Sequence, residues 1–94
     1  MKKLTINQIR QEAKIRLDHL KRLLKSCETR VQLNTVEDYR YELRRQLDII
    51  ICNNTPFFCG EYLKEMRILK LYFDDEYRET YDQVSNKIFN SIVK

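Results

Sequence analysis

The residues from Leu4 to Leu33 constrain the fold more than any other stretch. Ile6, Ile9, Ala13, Leu17, Leu20, Leu24, Cys27 and Val31 follow one another at steps of 3, 4, 4, 3, 4, 3 and 4. An α-helix puts residues so spaced on one side, and here that side persists for about seven turns. Thr5 fits the N-cap position and Gln8 the reciprocal position of a capping box, with Leu4 and Ile9 placed as a hydrophobic staple. A rod of ~28 residues is ~42 Å long, and only other long helices can cover it. The spacing therefore predicts an all-α fold, an antiparallel bundle of long helices forming one domain over residues 1–94.

The rest of the chain supplies the partners for that rod. Asn34 is a suitable stop, since asparagine tolerates the left-handed conformation. Thr35 with Asp38 reads as a second capping box, and Glu37 and Asp38 favour a helix N-terminus electrostatically. Helix two is then expected from about Val36 to Cys52, with Val36, Tyr39, Leu43, Leu47 and Ile50 on its apolar side. The short turn at Asn34 folds it back antiparallel on helix one. Asn53-Asn54-Thr55-Pro56 is the clearest break, with Thr55 as cap and Pro56 in the first turn. Phe57, Phe58 and Cys59 follow as an apolar turn that Gly60 can interrupt. From Glu61 to Val93 there is neither glycine nor proline, and Tyr62, Met66, Leu69, Phe73, Tyr77, Tyr81, Val84, Ile88 and Ile92 recur almost entirely at steps of 4 and 3. One long helix is expected here, or two if Asp74-Asp75-Glu76 caps a break, for three or four helices in all. A single glycine and a single proline in the whole chain leave too few turn residues for a β-rich fold. The unequal helices cannot cover one another fully, so a dimer or higher homo-oligomer is expected.

Charge is the strongest pointer to a surface. The net charge is +4, yet residues 1–30 alone carry nine basic against three acidic side chains. At 100° per residue, Lys3, Arg10, Lys14, Lys21 and Lys25 lie within about 60° of one another on helix one, a quarter-turn from its apolar side. Such a stripe can neutralise phosphates in a salt-dependent way. It can equally be matched by Glu61, Glu65, Glu76 and Glu79, which share one side of the third helix. A second cluster on helix two joins Arg40, Arg44 and Arg45 with Tyr39 and Tyr41. Arginine beside tyrosine suits a phosphate or a protein hot spot, although Arg40 and Arg44 can also pair with Glu37 and Asp48 along the helix.

Chemistry of other kinds finds no foothold in the residues. His19 is the only histidine and has no nucleophile or carboxylate pattern around it. Cys27, Cys52 and Cys59 show neither CxxC nor zinc spacing, and read as reduced thiols unless Cys52 and Cys59 are bridged. The acids at Asp74, Asp75, Glu76, Glu79 and Asp82 lack a calcium-loop spacing. There is no glycine-rich phosphate loop, no zinc finger and no helix-turn-helix signature. Catalytic residues, metal ligands and cofactors are therefore not expected. The longest apolar run has four residues, far short of a membrane span. No apolar signal segment follows Lys2 and Lys3, so the cytoplasm is the expected location. The reading is a small non-enzymatic binding protein of the inhibitor, immunity or adaptor type, acting through protein–protein contacts. The alternative is a binder of nucleic acid or a small phosphorylated nucleotide through the basic residues of helices one and two.

Overall fold

A computed structural model of the protein describes residues 4–54 and 60–93. Three helices account for nearly all of them: α1 (Ile6–Lys25), α2 (Arg30–Asn54) and α3 (Gly60–Val93). The Thr5 capping box is present, with the Gln8 N–H donating to Thr5 Oγ1 at 3.1 Å and the Thr5 N–H donating to Gln8 Oε1 at 2.8 Å.

α1 ends earlier than the spacing predicts. The helix stops at Lys25, and Ser26 to Thr29 form the turn. Ser26 Oγ and Cys27 Sγ both donate to the Leu23 carbonyl, at 2.8 and 3.3 Å, offering that backbone group a side-chain alternative to the helical ladder. The second capping box belongs to Thr29 and Gln32. The Gln32 N–H donates to Thr29 Oγ1 and the Thr29 N–H donates to Gln32 Oε1, each at 3.2 Å. Asn34 and Thr35 are thus not a boundary. Thr35 sits inside α2 with its hydroxyl donating to the Val31 carbonyl at 3.0 Å. Glutamine reaches back to the N-cap amide, where the shorter Asp38 side chain is a poorer partner for Thr35. Val31, placed by its spacing on the apolar side of helix one, is 74% exposed at the start of α2.

α3 is one unbroken helix of 34 residues, so Asp74-Asp75-Glu76 does not split it. The expected Thr55 cap, the Pro56 first turn and any Cys52–Cys59 bridge lie outside the described residues. Among the described residues there is no strand, and no helix is long and apolar enough to cross a membrane.

Cross-helix contacts fix the directions. Leu4 N–H meets Asn54 Oδ1 at 2.8 Å and the His19 and Tyr39 rings meet edge-on at 5.6 Å, so α1 and α2 run antiparallel. Arg10 reaches Glu65 and Lys21 reaches Glu76, so α1 and α3 run parallel in a constant register. Arg44 with Asp74 and Lys70 with Asp48 set α2 and α3 antiparallel. The result is an up-down-up bundle measuring 54 × 21 × 15 Å between Cα atoms.

The core follows the helical spacing. Ile9, Ala13, Leu17, Leu20 and Leu24 face Leu33, Val36, Leu43, Leu47 and Ile51 of α2 and Tyr62, Met66, Phe73, Tyr77 and Ile88 of α3. Tyr39, expected on the apolar side of helix two, is 41% exposed, and Leu33 and Ile51 extend that side instead. α1 packs most closely on α3, whereas α2 and α3 share fewer contacts. The reason is polar. Between Val36 and Leu43 the inward phase of α2 is occupied by Arg40, whose guanidinium lies 5.3 Å from the centre of the Tyr77 ring. At the opposite end Asn54, 3% exposed, donates to the Ile50 carbonyl while accepting from Leu4, and the buried Tyr62 hydroxyl donates to the Ile51 carbonyl at 2.9 Å. These bonds tie the start of α1 and the start of α3 to the end of α2.

Candidate functional site

The parallel register of α1 and α3 brings the basic stripe of one helix beside the acidic side of the other. Arg10 Nη2 lies 2.6 Å from Glu65 Oε2, and Lys21 Nζ lies 3.5 Å from Glu76 Oε2. Lys14 and Lys25 make no ion pair among the described residues, and Lys3 lies outside them. The stripe is therefore one edge of a shared α1–α3 face, half of it matched within the chain.

Between these edges runs a groove of about 330 Å³. Ala13 and Leu17 of α1 and Leu69 and Phe73 of α3 line it, with Arg10, Lys14 and Asp18 at one rim and Tyr72 at the other. The small Ala13 side chain leaves room that a leucine there would fill. Beside the groove the outward surface of α3 is apolar. Ile68, Leu71 and Tyr72 are 55%, 57% and 54% exposed and stand at i, i+3 and i+4, so their side chains are neighbours. They lie ~100–160° from Phe73 around the helix, too far to reach the core. Glu61 and Glu65 precede this patch on α3, and Glu76 and Glu79 follow it. The pointer to Ile68, Leu71 and Tyr72 is an apolar triad out of phase with the main one, which the periodicity of the core passes over.

The helix-two cluster is drawn together differently from the expected set. Tyr39 faces α1 against His19 and does not join the arginines. Arg40, Arg44 and Arg45 come together with Tyr41 and Asp48 around a shallow depression of about 170 Å³. Each arginine is already held by a carboxylate: Arg40 by Glu37 at 3.2 Å, Arg45 by Glu42 at 3.1 Å, and Arg44 by Asp74 at 3.0 Å and also by Asp48. Burial alone would lower the Arg44 pKa, but its hydrogen bonds and charge contacts with Asp74 and Asp48 outweigh it and the net shift is upward. The hydrogen bond from Arg45, and then its charge, lowers the Glu42 carboxyl pKa.

A second groove, about 340 Å³, lies between α2 and α3. Glu37, Asp74 and Asp82 line it with Arg40 and Arg78, leaving it nearly balanced in charge. The Tyr77 hydroxyl beneath is sealed from solvent and, among the described residues, has no group in hydrogen-bond geometry. Burial, then the nearby Glu37 carboxylate, pushes its pKa well above the ordinary 10.0, against the opposing pull of Arg40. Burial likewise raises the Cys27 thiol pKa. Among the described residues no three histidine, cysteine or acidic side chains converge as metal ligands.

Comparison with family models, curated proteins and solved structures gives no match.

Proposed function

We propose that the protein is a small non-enzymatic binding protein of the cytoplasm, of the inhibitor, immunity or adaptor type, whose working surface is the α1–α3 face. The observation that carries this reading is the outward apolar triad Ile68, Leu71 and Tyr72, set beside a groove with an apolar floor and a charged rim. Large apolar side chains clustered on a solvent-facing helix cost solubility and are retained where a partner covers them. Tyrosine is suited to such a site, having a large apolar body and few rotatable bonds.

The same geometry weighs against the nucleic-acid or nucleotide alternative. An anion arriving at Arg40, Arg44 or Arg45 must displace a carboxylate that already holds the guanidinium. Of the described stripe, only Lys14 and Lys25 are left without an ion pair. Recovery of bound proteins from the native host tests the reading. A partner recovered with the wild-type chain and with Ile15→Asp, but lost with Ile68→Asp, supports it, because Ile15 is equally exposed at 55% on the far side of α1. Retention on heparin that collapses in moderate salt, with binding indifferent to Ile68→Asp, overturns it.

A further inference from the structure

Where α1 meets α3, Arg10 and Lys21 are paired with Glu65 and Glu76. Among the described residues this leaves Lys14 and Lys25 on the α1 side, with Asp18 one turn from Lys14, and Glu61 and Glu79 on the α3 side, without an ion pair, and the apolar triad lies beyond the carboxylates. Such a surface is complementary to itself. Two copies can meet face to face about a twofold axis in the plane of contact, and the axis can run along the helices or across them. An axis across the helices sets α1 on α1 and α3 on α3, where Asp18 is the one carboxylate of the groove available to the partner's cations and Glu61 and Glu79 lie among the partner's carboxylates. An axis along the helices sets α1 of each copy on α3 of the other, and opposite charges meet.

We infer, resting on the reading of this face as a protein-binding surface, that its occupant is a second copy of this chain, related by a twofold axis parallel to the helices. The register within one chain gives the levels in the other. Arg10 stands level with Glu65, and Lys21 with Glu76. Continuing that spacing, Lys25 stands level with Glu79 and Thr80, and Lys14 with Ile68 and Leu69. Because the axis preserves these levels, Lys25 of each copy meets Glu79 of the other. Lys14 lies over the partner's Ile68 and Tyr72, its aliphatic stem on the apolar patch. The groove beside Ala13 receives the partner's apolar side chains. Lys25, left without an ion pair in the single chain, thereby gains one. Contact along the ~30 Å of α1, across a bundle 21 Å wide, covers ~600 Å² on each copy, near the low end of specific interfaces, so a micromolar dimer is expected.

Equilibrium sedimentation from one to two hundred micromolar, in order-of-magnitude steps, tests this. The wild-type mass should rise from 11.6 kDa towards twice that value. Ile68→Asp should remain a monomer with unchanged helical circular dichroism. Lys25→Glu and Glu79→Lys should each weaken the dimer about tenfold, since the symmetry repeats each change twice. The chain carrying both reversals should recover wild-type association. A wild-type protein that stays at 11.6 kDa throughout overturns the inference, while loss of a different partner with Ile68→Asp would still uphold the face as a binding surface. A dimer that survives Ile68→Asp, or a double reversal that fails to recover, overturns the proposed arrangement.

Discussion

Two buried tyrosines on α3 allow the same chemical change to be made with opposite outcomes. Tyr62 is 1% exposed and its hydroxyl donates to the Ile51 carbonyl at 2.9 Å. Tyr77 is 4% exposed and its hydroxyl has no group in hydrogen-bond geometry among the described residues. Replacing Tyr62 by phenylalanine removes a buried bond and should cost about 1–1.5 kcal/mol. Replacing Tyr77 by phenylalanine removes a desolvated hydroxyl that has the Glu37 carboxylate nearby but outside hydrogen-bond geometry, and should stabilise by about 1 kcal/mol. The substituted ring still offers the Arg40 guanidinium an aromatic face, so the cation–π contact is kept. The two variants should therefore differ by about 2 kcal/mol, which for a domain of this size separates their melting temperatures by roughly 8–16 °C. Thermal unfolding at neutral pH, followed by helical circular dichroism, reads this directly. Loss of stability in Tyr77→Phe comparable to that in Tyr62→Phe would show that the Tyr77 hydroxyl is satisfied and that the polar layer has been misread.

The remaining predictions concern the same layers. Because the Tyr77 pKa is raised in the fold, the folded chain keeps a proton that the unfolded chain releases. Stability should therefore be unaffected by this group below about pH 10 and fall as pH rises beyond it, with a smaller fall in Tyr77→Phe, measured by urea unfolding at stepped pH. Thr29→Ala should cost about 1 kcal/mol through loss of the α2 cap, whereas Thr35→Ala in the helix interior should cost little. Arg44→Met should cost about 1–3 kcal/mol in denaturant unfolding, because its largely buried guanidinium holds carboxylates of two helices. Arg45→Met, on the exposed side with Glu42, should leave the transition where it is.

The class of fold is legible in the sequence because apolar spacing alone dictates it, and the core of α3 from Tyr62 to Ile88 falls almost wholly where the spacing puts it. The α1–α2 turn is not. Leu24, Cys27 and Val31 keep the helical step across the break, so periodicity continues where the helix does not. The deciding signal is the pair of hydrogen bonds between Thr29 and Gln32, weighed against the superficially similar Thr35 and Asp38. At the surface, the sequence indicates that the acids of α3 could match the stripe of α1, and it indicates the Arg40–Glu37 and Arg44–Asp48 pairs. It does not reveal that α1 and α3 run side by side in constant register. That depends on which helices neighbour each other in the bundle, and so the apolar patch beside the groove is apparent only once the three are assembled.

The unequal reach of the helices has a consequence for motion. Alongside α3, α1 ends near the level of Thr80, and from there on the side of α3 turned towards α1 carries Gln83, Lys87 and Asn90 in place of apolar residues. From there to about Ile88, the level at which α2 begins, α3 leans on α2 alone, and its last turn runs past both. Backbone amides there should exchange with solvent deuterium well before those around Phe73, and fraying can proceed inward as far as Ile88 without admitting water to the main interior. One end of the rod is a clamp and the other a cantilever.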